Sequence, residues 1–215
     1  AVFNVLNYFD GFGDGCGPEG DDECRGADDA HELARQRAKL VAAVSALDAH
    51  VIGLVEVEND AEQGALADLV AGLNDAAGEG AYAYVDTGGP IGSDAIRVGL
   101  LYRPAALTPV GDPAVLDDAS FLDPAGTGAD RNRAALAQTF ADASGGRFTV
   151  VVAHLKSKGS ECGAGDDDPV EGSCALTRLL GARALLEWLA TDPTRSGDPD
   201  FLVVGDLNSY AAERP

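Results

Sequence analysis

The residues of this chain that could do chemistry sit at the ends of apolar runs. Phe201-Leu-Val-Val-Gly205 leads straight into Asp206-Leu-Asn208, an acid and an amide two residues apart. Alternate side chains of a strand project from one face, so Asp206 and Asn208 fall on the same side, and Gly205 permits the backbone that ends the run. That pair suits a hard divalent cation, or a polarised water, beside a phosphate. It equally suits an Asx-turn serving only the local backbone. Three other runs carry a polar residue where an apolar one would fit: Asn4 within residues 2–6, Glu56 after residues 51–55, and His154 after residues 148–153. Singly, these read as an Asn serving a loop, a solvated Glu and a hydrogen-bonding His. On neighbouring strands they would converge, and convergent titratable groups at strand ends are what metal-assisted hydrolysis needs. Lys156 and Lys158 follow His154 closely, in a chain with one other lysine, Lys39.

Charge narrows the partners. With 36 acidic and 15 basic residues the formal net charge is −21. Such acidity repels polyanions at long range, which argues against passive nucleic-acid binding through a basic surface. An enzyme that meets phosphate through a metal ion and a few local cations remains compatible with it. No apolar run reaches the ~20 residues of a membrane span. There is no G-x-x-x-x-G-K-[ST], no strand-linked G-x-G-x-x-G and no G-x-S-x-G, so nucleotide-fold and serine-hydrolase readings lose support.

The four cysteines form two close pairs, Cys16 with Cys24 and Cys162 with Cys174, each in a segment rich in Gly, Asp and Glu. Zinc would want shorter spacings and His partners. Two loop-closing disulfides fit better, and with them a secreted or cell-surface protein.

The 215 residues suffice for one large domain with a sizeable core, and no linker or internal repeat divides them. Helical spacing of Leu33, Leu40, Val41, Val44 and Leu47 predicts a long helix from Ala30. A second is expected over about residues 63–76, and a third between Cys174 and about Thr191, packing through Leu179, Leu186, Trp188 and Leu189. Strands are expected over residues 1–6, 51–57, 82–85, 96–102, 107–110, 136–140, 148–154 and 201–205, with surface loops over 7–29 and 111–130. This order predicts a mixed sheet system covered by helices. The first residues read as the inside of a strand, which predicts a chain that begins after a removed leader or at a boundary within a longer one.

The ordered set Phe3-Asn4, Leu54-Val-Glu56, Val152-Ala-His154 and Gly205-Asp-Leu-Asn208 resembles the signature of the endonuclease/exonuclease/phosphatase superfamily, to which the pancreatic-type deoxyribonucleases belong. Residues 3–9, 53–60, 94–99, 154–159 and 205–210 further resemble its secreted bacterial extracellular nucleases. The resemblance runs from Val2 to Glu213. It implies a four-layer α/β/β/α sandwich of two mixed sheets, with the site where their strand ends meet. By matching positions, Glu56 is the main carboxylate ligand of Mg²⁺ or Mn²⁺, with Asn4 beside it and Ca²⁺ as an alternative, structural ion. His154 acts on the scissile phosphate, Asp206 and Asn208 orient the attacking water and the phosphate, and Arg133 contacts the phosphate. Asp94 and Arg97 line the cleft, and Lys156 and Lys158 are candidate phosphate contacts. His154 is expected to titrate near neutral pH and exchange a proton during turnover.

The resemblance also implies a closing Asp-His pair on a later strand. No histidine follows His154, so that pair is expected on a segment beyond Pro215. The expected activity is hydrolysis of DNA, with RNA as a further substrate, by a monomer without a membrane span. A phosphomonoesterase or phospholipid phosphodiesterase of the same superfamily is the alternative enzyme. From another class, an acidic calcium-binding surface module would use residues 14–22 and 166–168 instead.

Overall fold

The computed structural model describes residues 1–213. In chain order the elements are β1 (Val2–Tyr8), β2 (Asp14–Cys16), β3 (Asp22–Glu23), α1 (Ala30–Leu47), β4 (Val51–Glu58), α2 (Gly64–Ala77) and β5 (Ala83–Tyr84). They continue with β6 (Ile96–Tyr102), β7 (Leu107–Leu116), α3 (Ala119–Leu122), β8 (Arg133–Asp142), β9 (Arg147–His154), α4 (Ala175–Leu189) and β10 (Phe201–Asp206). Two four-stranded sheets run β1-β4-β6-β5 and β10-β9-β8-β7, and β2 and β3 form a separate small ribbon. Each large sheet is mixed: β1 pairs parallel with β4 and β10 parallel with β9, while the other pairings within them are antiparallel.

The period-2 patterning decides the layers. On β4, Ile52 and Leu54 face outward to α1 and α2, where Leu40, Val44, Leu66, Leu69 and Leu73 cover them. Val55 faces inward and joins Val98, Leu100, Leu136, Phe140, Val150 and Val152 in the core between the two sheets. On the far side, Ala135, Ala137, Val151 and Ala153 face α3 and α4 through Phe121, Leu185 and Leu189. The result is an α/β/β/α sandwich. Gly53 sits where the two sheets pack tightly, since a Cβ there would stand 3.0 Å from methyls of both Val152 and Val204.

Helix α1 starts because Asp29 accepts the His31 and Glu32 N–H groups while Glu32 reaches back to the Asp28 N–H, a reciprocal cap. Three expectations about elements are corrected, the first being the loop over 7–29, which holds the end of β1 and the strands β2 and β3. The segment from Gly111 is not all surface loop: β7 continues through it to Leu116, and the short α3 follows. Pro109 and Pro113 argue against a central strand, but β7 is an edge strand, and its pairing with β8 slips between Val110 and Ala114 to absorb the irregularity. The strand expected over 136–140 begins at Arg133, which brings that arginine into register with His154.

Candidate active site

Two bulges at the same level of one sheet create the mouth. Pairing of β1 with β4 runs from Asn4↔Val55 directly to Tyr8↔Val57, so β1 carries two more residues than its partner there. Pairing of β4 with β6 jumps from Val55↔Val98 to Val57↔Arg97, so Glu56 is the extra residue. Leu6, Asn7 and Glu56 all adopt left-handed backbone, with φ of 56°, 52° and 66°. Left-handed backbone at such residues costs ~1–3 kcal/mol each. Without the bulge, alternation would turn Val57 away from the helices; with it, Val57 returns to the helix-facing core. Burying such a side chain stabilises by ~2 kcal/mol, comparable with the strain at Glu56.

Asn4 and Glu56 meet between these bulges: Asn4 Nδ2 donates to Glu56 Oε1 at 2.8 Å, and Asn4 Oδ1 accepts the Leu6 N–H at 2.8 Å. The second Glu56 oxygen has no hydrogen-bond partner among the described residues.

The other sheet contributes His154, Arg133 and Asp206. Asp206 pairs with His154 across β10–β9, and Arg133 pairs with His154 across β8–β9, so three charged or titratable residues share one sheet end. Arg133 Nη1 lies 3.5 Å from His154 Nε2. Its Nε lies 3.2 Å from Asp94 Oδ2 without a well-aligned N–H, which makes the contact an ion pair rather than a hydrogen bond. Asp94 is fixed in turn by its own Oδ1 on the Ile96 N–H and by buried Asn59, which donates to the Asp94 carbonyl at 2.9 Å.

His154 is buried, and its Nδ1 has no partner among the described residues. A purely structural histidine would be held by hydrogen bonds; this one is held by packing and leaves its ring nitrogens largely unspent. Burial, followed by the Arg133 charge, pushes its pKa down to about 4, against the pull of Asp206, Glu56 and Asp94. The expectation of titration near neutrality is therefore corrected: desolvation keeps the imidazole neutral at pH 7. Asp206 and Asn208 form an Asx-turn as well, since Asp206 Oδ1 accepts the Asn208 N–H at 2.9 Å. Asn208 Nδ2 donates to the Leu155 carbonyl, which ties β10 to the segment after His154. Gly205 has φ 141°, and a Cβ there would collide with the Ala153 carbonyl.

Not every expected contact lies at the cleft. Arg97 is a correction: it is 1% exposed and donates to the Val98 and Gly89 carbonyls and to Thr87 Oγ1. It braces the 87–89 turn from a buried position rather than lining the cleft. Lys158 is engaged by Glu213 at 2.5 Å and lies over the Tyr210 ring, beside an open depression of about 390 Å³ that Asp206 and Asn208 also line. Lys156 Nζ donates to Ser160 Oγ at 2.9 Å; burial, then Arg133, Arg131 and Arg178, hold its pKa below the usual lysine range.

Two positioning residues were not foreseen. Asn132 accepts the Lys156 N–H and donates to the Phe121 carbonyl, which locks the 131–133 strand entry onto the loop after His154. Its trace in the sequence is Gly181, a glycine inside α4 where a Cβ would meet Asn132 Nδ2 at 2.5 Å. Arg25 reaches Asp94 at 3.5 Å from the loop after Cys24, and nothing in its local pattern signals that. Both cysteine pairs are disulfide-bonded. Asp167 spends its carboxylate on the Cys162, Gly163 and Cys174 N–H groups, so this acid serves the loop.

A divalent cation fits the donor chemistry. Glu56 and Asn4 offer hard oxygens, and Mg²⁺ or Mn²⁺ takes one or two carboxylate-type ligands while keeping waters and substrate oxygens. Among the described residues no group of three or more His, Cys, Asp and Glu is arranged to hold a metal, so the protein would supply only part of the coordination.

The chain matches the Endonuclease/Exonuclease/phosphatase family over residues 1–215 and belongs to it. Members of this family hydrolyse phosphate esters and generally depend on a divalent metal. Among solved structures, humanized TDP2 of D. rerio is 13% identical with a TM-score of 0.55, over 98% of this chain and 62% of that one. The human Nocturnin catalytic domain, with a bound sulfate, is 19% identical with a TM-score of 0.53, over 84% and 59%. A mannosyl-6-phosphatase of Bacteroides thetaiotaomicron is 17% identical with a TM-score of 0.53, over 86% and 62%. At these identities the likeness establishes the sandwich fold. The chain spans less than two thirds of each of those structures. No curated protein sequence matches it.

Proposed function

We propose that the chain carries the catalytic mouth of a secreted, divalent-metal-dependent phosphodiesterase that cuts DNA, with RNA as a further substrate. The observation that carries this reading is the meeting of two strand ends: Asn4 and Glu56 in contact on one sheet, and His154 between Arg133 and Asp206 on the other. Glu56 and Asn4 would hold the cation, which when bound withdraws charge from phosphate oxygens. Arg133, aimed by Asp94, neutralises charge developing on the phosphate; a guanidinium is suited to that because its donors form a planar fork. His154, kept neutral, can accept a proton or donate one at a ring nitrogen. Asp206 orients the attacking water and accepts from it, and Asn208 fixes the turn that holds Asp206. The disulfides support an oxidising compartment, and no helix among the described residues is long and apolar enough to cross a membrane.

A second reading is a phosphomonoesterase, favoured by the mannosyl-6-phosphatase among the structural neighbours. A plasmid-nicking assay with Mg²⁺ or Mn²⁺, run beside a sugar phosphate and a phospholipid, separates the readings. Wild type should nick DNA, chelation should stop it, and Glu56→Gln and His154→Ala should each lose ~10²-fold or more. Undiminished nicking by both variants would remove these residues from the site. Release of phosphate from the sugar phosphate, with DNA intact, selects the second reading.

A further inference from the structure

A groove of about 580 Å³ leaves the candidate site on the Asn4 side and runs along α1. Asn4 lies in its wall, so groove and site are continuous. The floor is a built feature: Gln36 Nε2 donates to the carbonyls of Val5, Leu6 and Asn7 at 3.2, 3.0 and 3.4 Å, which holds the doubled bulge of β1 in place. Leu6 consequently stands at the rim, 72% exposed. Arg35 and Lys39 line the α1 side of the groove, one helical turn apart. Neither has a hydrogen-bond or ion-pair partner among the described residues.

Arg131, Arg183 and Arg195 likewise have no side-chain hydrogen-bond or ion-pair partner among the described residues, but none of them lines this groove, and the chain as a whole carries a net charge of −21. Arg37, Arg103, Arg133 and Lys158 are each within ion-pair distance of a carboxylate, and Arg97 and Arg178 are spent on backbone carbonyls. The acid nearest Arg35 and Lys39 in the groove wall, Glu32, turns its carboxylate to the Asp28 N–H. Two uncommitted cations, an exposed aliphatic side chain and a direct opening onto Asn4 describe a receptor for an anion that continues away from the reacting phosphate.

We infer that this groove binds the strand of a polynucleotide flanking the scissile bond, with Arg35 and Lys39 on neighbouring phosphates and Leu6 against a sugar or base. The inference rests on the phosphodiesterase reading above and adds where, and through which residues, the substrate chain is held beyond the scissile bond. A phospholipid would call for a contiguous apolar patch to receive acyl chains. Leu6 alone among the strongly exposed large apolar side chains lines this groove, which favours the polynucleotide.

The test measures binding and cleavage separately. On a His154→Ala background with Mg²⁺ present, a fluorescent single-stranded oligonucleotide is titrated by anisotropy at several salt concentrations, with and without R35Q/K39Q. The pair should cost roughly tenfold or more in affinity at low salt. It should also flatten the log K against log[salt] slope by about 1.4, from ~0.7 per single-strand phosphate contact. With His154 intact, R35Q/K39Q should lower kcat/KM on the oligonucleotide and leave bis(p-nitrophenyl) phosphate unchanged. Because both side chains are exposed and unpaired, the melting temperature should not move, and Leu6→Ala should weaken binding with the salt slope preserved.

Unchanged affinity and slope, absence of oligonucleotide binding in the parent, or an equal loss on the small diester would each overturn the groove. So would a loss confined to phospholipid vesicles. Binding that shows the predicted slope change, in a protein that hydrolyses no phosphoester, would sink the hydrolase reading and leave the groove standing.

Discussion

Arg133 and His154 face each other across the β8–β9 ladder with Nη1 and Nε2 3.5 Å apart, and a permanent cation therefore borders a buried imidazole. A second positive charge on that ring is disfavoured twice, by desolvation and by the guanidinium, which accounts for a pKa of about 4. The consequence for stability has a definite sign. Above pH ~6.5 the imidazole is neutral in both folded and unfolded chains and contributes no pH dependence. Between ~6.5 and ~4 the unfolded chain binds a proton that the folded one refuses, so stability falls as pH falls through that window. The shift corresponds to ~3 kcal/mol. Urea melts of wild type and His154→Gln from pH 7.5 to 4 measure it. The variant should lose less stability on acidification, and parallel curves would contradict the assignment.

Glu58 is expected to act in the opposite direction. It is 3% exposed, and burial together with the nearby Asp10 charge pushes its pKa up to about 7 despite a hydrogen bond from the Asp10 N–H. A raised carboxyl pKa means the folded state holds the proton more tightly. Its contribution is present in full below the unfolded value of ~4.5 and is lost as pH rises through about 7. Glu58→Gln should therefore gain stability relative to wild type from pH 5 to pH 8, read as the difference between their melting temperatures. A constant difference across that range would argue against a protonated Glu58.

Arg133 should not tolerate lysine. Its role needs Nε toward Asp94 and Nη1 toward His154 at once, and an ammonium on a flexible stem cannot reproduce that fork. Arg133→Lys and Arg133→Ala should each lower kcat/KM on a phosphodiester by ~10²-fold or more, the cost typical of removing one donor that stabilises developing charge. Restoration of activity by lysine to near wild type would reduce Arg133 to a general electrostatic role.

Gly205 is the backbone position most sensitive to a single methyl. Its φ of 141°, and the Ala153 carbonyl where a Cβ would have to stand, leave no room for alanine. Gly205→Ala should destabilise by ~3 kcal/mol or more and disturb the β9–β10 pairing that sets Asp206 beside His154. Chemical denaturation and activity should fall together. A variant that keeps wild-type stability would show that the strand can relax there.

The sandwich was legible because its inner strands are packed on both faces and so read as near-continuous apolar runs, residues 148–153 and 201–204 among them, and the polar residues that end those runs stood out. The bulges were not legible. Nothing in the types of Leu6, Asn7 and Glu56 requires left-handed backbone there, which follows from what α1 and the core beyond them require. Arg97 misled for a related reason. The family resemblance places it at the cleft by matching position, yet the Gly88-Gly89 turn presents a carbonyl that takes its guanidinium inward. The depressed pKa of His154 comes first from burial and then from Arg133, twenty-one residues away, and both follow from the tertiary fold, the second from the β8–β9 pairing.

The two bulges have a consequence for how this fold can diversify. An insertion in a strand normally inverts every side chain after it, exchanging wall for surface. In β1 and β4 the extra residues are confined to one level, and Tyr8 and Val57 resume the outer face as though nothing had been added. Spelling at the mouth is thereby uncoupled from spelling in the wall. Leu6 and Asn7 can be exchanged for other recognition groups while Glu56 and the same packed layers persist behind them. A single scaffold can in this way present one chemical centre to quite different phosphate esters.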